Sequence, residues 1–162
     1  MRRNDGSSTK SEPNEPNDLN LVSYKAFLME TTAFNFWQDH SDTYLEMAFQ
    51  NDRIGRLADP DGFGRKTGVC GDTVEMYLVL EADVIQQVFF MIEGCRNTLA
   101  CANALARLAE GKTVAAAWNI VPEDIVGLLE TLPVGHHHCA ELAAGAFYLA
   151  LSSCGAHRRQ AC

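Results

Sequence analysis

Basic residues are scarce in this chain: 13 lysines and arginines stand against 21 aspartates and glutamates, a formal net charge of −8. No basic stripe outweighs the acids, which argues against a nucleic-acid partner. Apolar runs of transmembrane length are missing, and so is a basic-then-apolar leader at the start. Arg2 and Arg3 are followed by Asp5, Glu12, Glu15 and Asp18, which argues against an organelle transit peptide. These absences predict a cytoplasmic protein with no membrane partner. In that compartment thiols stay reduced, so the 6 cysteines read as ligands, nucleophiles or small core residues, not as disulfides. Residues 1–20 offer only Met1 and Leu19 as larger apolar side chains, too little to offset the entropy of ordering. They are expected to form a disordered tail. No internal repeat is visible, and the 162 residues suit one domain. It is expected over residues 21–153, with 154–162 as a flexible end.

What is present is patterned. Asp42 is placed to cap a helix running through Tyr44, Met47 and Ala48. The stretch "NDRIGRLADPDGFGRKTGVCGD" (residues 51–72) carries five glycines and a proline and reads as loop. In "TVEMYLVLE" (73–81), Val74, Met76, Leu78 and Leu80 share one face while Glu75 and Glu81 lie on the other, the period of a half-buried strand. "VIQQVFFMIE" (84–93) is rich in β-formers and close enough to pair with it as an antiparallel hairpin. After Gly94 the pattern turns helical and closes on Gly111. Thr113 opens a short helix, and Pro122 with Glu123 and Asp124 forms the first turn of another. A last helix is expected from near His138 to about Ser153. Strands followed by helices predict an α+β fold, a small antiparallel sheet of about three strands packed against helices.

Three cysteines fall at related places in this layout. Cys70 precedes the first strand in a glycine-rich loop. Cys95 sits where a helix begins after the second strand, and Cys139 lies in the first turn of the last helix. A helix N-terminus favours a thiolate, the form that binds metal. The others fit less well. Cys154 lies fifteen residues past Cys139, about 22 Å along a continuous helix. Cys101 is turned about 240° from Cys95 and reads as a buried side chain; Cys162 is terminal. Asp72 can bring a carboxylate over the site, and His138 an imidazole, whereas His136 and His137 point elsewhere on this reading. Three thiolates with one oxygen or nitrogen donor suit a tetrahedral zinc ion or a small iron–sulfur cluster equally well.

"CGD" (Cys70, Gly71, Asp72), "GC" (Gly94, Cys95) heading a small-residue helix, and "HC" (His138, Cys139) opening the final helix resemble the U-type iron–sulfur cluster scaffolds, IscU and the amino-terminal domain of NifU. "NDRIGRLADPDGFG" and "LAEGKTV" resemble the same family, and the likeness runs from about Asp42 to Ser153. The resemblance implies a compact α+β scaffold, not an enzyme. On it a labile 2Fe–2S cluster is built and passed to apo-proteins, with sulfur supplied by a cysteine desulfurase. Carried over, Cys70, Cys95 and Cys139 are the thiolate ligands, Asp72 keeps the cluster labile, and His138 is the alternative ligand. Zinc can occupy the same site.

The sequence departs from the family at its chaperone-recognition stretch, which appears here as Leu132, Pro133, Val134, Gly135, His136. The second proline and the lysine are missing, which counts against recognition by the specialised heat-shock chaperone. His136 takes the lysine's place. Two other functions compete: a zinc-binding module that accepts persulfide sulfur without assembling a cluster, and a zinc hydrolase, for which no cleft-forming insertion is visible. Whether the chain forms a homodimer is left open.

Overall fold

The computed structural model describes residues 35–160, with side chains through Cys154; the tail expected over residues 1–20 lies outside the described residues. All the elements below belong to the unit Phe36–Cys162. In chain order they are α1 (Phe36–Asp39), α2 (Asp42–Phe49), β1 (Gly62–Thr67), β2 (Thr73–Glu81), β3 (Val84–Glu93), α3 (Arg96–Ala109), α4 (Val114–Ala117), α5 (Pro122–Leu129), a 3-10 turn (Val134–His136) and α6 (His137–Gln160). The three strands form one antiparallel sheet in the order β1-β2-β3, so the α+β expectation holds.

The hairpin forms as its pattern predicts. Ala82 and Asp83 both take positive φ, 47° and 70°, the left-handed pair that a two-residue connection needs to match strand twist. A bulge between Val79 and Leu80 shifts the register, so the alternation read along β2 does not run unbroken to its end. Val74, Met76 and Leu78 are fully buried, but Glu75 and Tyr77 on the opposite face are nearly so too. Charge covers that second face. Glu75 accepts from the Tyr77 hydroxyl at 2.6 Å and pairs with Arg56 at 3.0 Å and Arg65 at 3.6 Å.

β1 corrects the loop reading of residues 51–72. Glycines 62 and 64, read as punctuation, are instead where α6 crosses the sheet. A Cβ on Gly62 would stand 2.5 Å from Cys154 Sγ, and one on Gly64 would collide with the backbone of Ala146 and Ala150. Only glycine allows that approach. The free edge of β3 is covered as well: Ile54 bridges Phe90, Val84 bridges Thr113, and Arg53 holds Glu110 at 2.7 Å.

α3 is buried on nearly every side by small residues, among them Ala100, Cys101, Ala102, Ala104 and Ala106. It packs against α2, α5, α6 and β3. Cys101 is wholly buried, as expected of a small core side chain, and burial pushes its thiol well above the ordinary range. Two helix limits differ from the sequence reading. Ser41, not Asp42, caps α2, its hydroxyl accepting from the Tyr44 N–H at 3.1 Å. The last helix starts at His137 and continues past Ser153 to Gln160. The Ser152 and Ser153 hydroxyls bond back to the carbonyls of Tyr148 and Ala150, which lets these polar residues stay helical.

Candidate metal centre

The β1–β2 turn, the start of α3 and the start of α6 carry the three predicted cysteines. Cys70 is exposed in the turn, where Gly71 adopts φ +87° and the Gly68 N–H donates to the Asp72 carbonyl at 2.8 Å. Cys95 occupies the N-cap of α3 and is exposed, and Cys139 is fully buried in the first turn of α6. Their sulfurs are 3.9 Å apart. Two thiolates on one tetrahedral ion, each at about 2.3 Å from it, are separated by about 3.8 Å, so the pair already stands at ligand spacing.

Burial is the main reason that the Cys139 thiol is pushed up to about 12, with a Thr98 hydrogen bond opposing and the neighbouring Cys95 reinforcing the rise. Cys139 is thus neutral at neutral pH in the metal-free chain. A metal ion must displace its proton, so affinity rises with pH.

Asp72 is brought to the same end of the sheet, but its carboxylate is already engaged. Oδ2 accepts from the Thr98 hydroxyl at 2.6 Å and from the Cys95 N–H at 3.1 Å. Those donors, Thr98 first, hold Asp72 below the usual carboxylate range. The carboxylate therefore caps α3 from outside the helix, at the end where negative charge is favoured. Gly94 makes the room: a Cβ there would sit 2.6 Å from Asp72 Oδ2. Thr98 lies 3.5 Å from Cys95 Sγ, one helical turn beyond it. Thr98 stands outside the cysteine and histidine pattern, and its spacing of three from Cys95 is the signal in the sequence that points to it.

The histidines divide differently from the expectation. His138 Nε2 stands 3.6 Å from Cys139 Sγ, beside the sulfur it was assigned to. Among the described residues, however, the group of donors lying within 4.8 Å of one another is Cys95, His136 and Cys139. Cys70, Asp72 and His138 lie outside it. The 3-10 turn brings His136 in, because it continues directly into α6 and sets residues 136 and 139 on one face. His137 lies beside Pro122, Glu123, Val126 and Glu141 along a shallow pocket. Cys154 is far along the helix, its sulfur donating to the Ala150 carbonyl at 3.3 Å.

A small α+β domain with a thiol pair at ligand spacing and further soft and oxygen donors on adjoining segments defines a metal-binding protein. Its family follows from comparison. The profile of the NifU-like N terminal domain family matches residues 45–161, and the chain belongs to that family. Iron-sulfur cluster assembly scaffold protein IscU 1 of Archaeoglobus fulgidus is 33% identical over 105 residues, covering 64% of this chain and 69% of that one. The IscU scaffold of Aquifex aeolicus is 28% identical over 116 residues, 70% of this chain and 74% of its own. Among solved structures, a NifU-like protein (N-terminal) from Brucella abortus superposes with a TM-score of 0.60 at 20% identity, covering 75% of this chain and 99% of that chain. A putative iron-sulfur cluster assembly scaffold protein for the SUF system from Fervidobacterium islandicum gives 0.58 at 17% identity, over 72% and 99%. At such identities these two likenesses bear on the fold.

Proposed function

We propose that this protein is an iron–sulfur cluster assembly scaffold that binds iron and sulfide, builds a labile 2Fe–2S cluster and passes it to apo-proteins. The observation that carries this reading is the 3.9 Å thiol pair of Cys95 and Cys139 in a chain whose relatives are named as such scaffolds. Cys70 on its exposed turn is the third thiolate, and Asp72 and His138 are the weaker donors that complete or relieve the ligand set. A scaffold must release what it builds. A carboxylate or imidazole binds iron less covalently than a thiolate and is displaced more easily, so a set one cysteine short of four suits transfer. The chain supplies ligands and burial; it is a carrier and not an enzyme. Its partners are a cysteine desulfurase as sulfur donor and apo iron–sulfur proteins as acceptors, in the cytoplasm.

The exposure of Cys70 and Cys95 beside a buried Cys139 gives sulfur donor and acceptor access to two thiols while the third stays anchored in the core. The same exposure favours the second reading, a zinc-bound sulfur-transfer module taking persulfide sulfur on an accessible thiol. Anaerobic incubation with iron, a sulfide source and reductant separates the two. The scaffold reading expects visible cluster absorbance with matched iron and sulfide. A colourless protein that retains zinc would favour the second.

A further inference from the structure

We propose that Cys95, His136 and Cys139 form a ready three-donor seat for one divalent metal ion, with His136 as its nitrogen ligand. Cys70 and Asp72 then engage as later-arriving donors. This rests on the scaffold reading for its purpose but not for its geometry. His136 is not among the ligands that the family likeness implies, where its position holds a lysine.

Three observations converge on it. A ring nitrogen of His136 and the two sulfurs lie within 4.8 Å of one another, whereas no such group among the described residues includes Cys70, Asp72 or His138. The His136 Nδ1 is buried and has no hydrogen-bond partner. Buried polar nitrogens are nearly always satisfied, so an unpaired one in the ring of a residue grouped with two thiols leaves His136 without a competing structural task. The backbone also fixes the placement: the His136 N–H donates to the Pro133 carbonyl at 2.8 Å, closing the turn that runs into α6.

The donor set selects its ion. Two thiolates and an imidazole are soft to borderline ligands that take zinc or iron(II) and disfavour magnesium or calcium. Binding is balanced as one aqueous divalent ion plus two thiols giving a bis-thiolate imidazole complex and two protons, without redox change. A tetrahedral ion held this way keeps one position open, and Cys70 or Asp72 from the β1–β2 turn is left to fill it. His138 touches one of the two sulfurs, that of Cys139, and its ring lies 5.8 Å from that of His136, so it exchanges with His136 only after the site rearranges.

Cobalt(II) is the probe, because its visible bands report tetrahedral geometry and its near-ultraviolet charge-transfer intensity reports bound thiolates. The full chain carrying Cys70→Ser is titrated anaerobically under reducing conditions. It should bind one ion with two-thiolate intensity. Adding His136→Ala should weaken that affinity by about tenfold or more, while His137→Ala stays within about twofold and His138→Ala loses less than His136→Ala. His136→Cys should restore affinity and raise the charge-transfer intensity by about half, a gain that a merely structural residue cannot give. Undiminished cobalt affinity in His136→Ala overturns the proposal, as does a larger loss in His138→Ala. Should His136→Ala fail to fold, failure of His136→Cys to add a third thiolate band overturns it. Cobalt binding through His136 in a wild-type chain that never assembles a cluster would sink the scaffold reading and leave this one standing. Cluster assembly with cobalt indifferent to His136 would do the reverse.

Discussion

The first turn of α6 and a point about four turns further along it each carry a buried cysteine, and the two have different neighbours. Cys139, in the first turn, faces Cys95 across 3.9 Å, with His136 and His138 close by. Cys154, a little over four turns later, meets Gly62 and the Ala150 carbonyl, and it fills the crossing of helix and strand. Burial is nearly the same at both, 0% and 8% exposed. What separates a candidate ligand from a packing residue here is the company of other donors, and that is set by where the chain turns, not by the thiol.

Breaking the ligand end should have the largest effect. Cys139→Ser, like Cys95→Ser and Cys70→Ser, should abolish stable cluster assembly in anaerobic reconstitution, because a hydroxyl does not ionise at neutral pH. Cys154→Ser should assemble normally. Equal loss from both would mean that the helix does not hold them apart.

The packing end breaks differently. Gly64→Ala forces a Cβ into the α6 backbone and should cost about 2 kcal/mol or more, in the middle of the range of overpacking penalties or above it. Thermal melting of the metal-free protein measures it. An unchanged melting temperature would show that helix and strand can separate without cost.

A smaller effect follows from Asp72. With its carboxylate removed, the cluster should form and then survive longer in air, by a few-fold in the decay of visible absorbance, since an easily displaced oxygen donor is gone. Faster decay in Asp72→Ala would assign the carboxylate to holding the cluster rather than to freeing it. Thr98→Val should shift the decay the other way and by less, because the carboxylate loses its Thr98 donor while the Cys95 N–H still holds it.

The smallest effect is in pH. The folded Cys139 thiol lies at about 12 against an ordinary value near 9. In the unfolded chain the thiol ionises as pH passes 9, while the folded chain keeps its proton. The stabilising contribution is therefore complete below about 9 and lost as pH climbs toward 12. Cys139→Ala should flatten that alkaline limb in melts of the metal-free protein; an unaltered limb would place its origin elsewhere, with buried Cys101 the next candidate.

Much of this arrangement was legible in the sequence. The hairpin followed from alternation at 73–93, and α3 from its small-residue run. The places of Cys95 and Cys139 followed from helix starts. Two things were hidden for physical reasons. Glycines 62 and 64 look like loop signals, yet they serve a close helix–strand crossing whose partner lies some 85 residues away. A helix beginning near His138 would point His136 away; the 3-10 turn before the helix instead rotates His136 onto the face of Cys139. Adjacent residues in a helix diverge by about 100°, whereas residues three apart share a face, and that spacing was the signal available for both His136 and Thr98.

The central claim is that this chain holds a cluster in order to give it away. Wild-type protein reconstituted anaerobically is mixed with an apo-ferredoxin of the 2Fe–2S type, the two are separated, and iron, sulfide and visible spectra are read on each. The account predicts that absorbance and matched iron and sulfide move to the ferredoxin, faster than from free iron and sulfide at the same concentration. Cluster that stays on the scaffold, or a chain that holds only zinc and passes nothing, would contradict it.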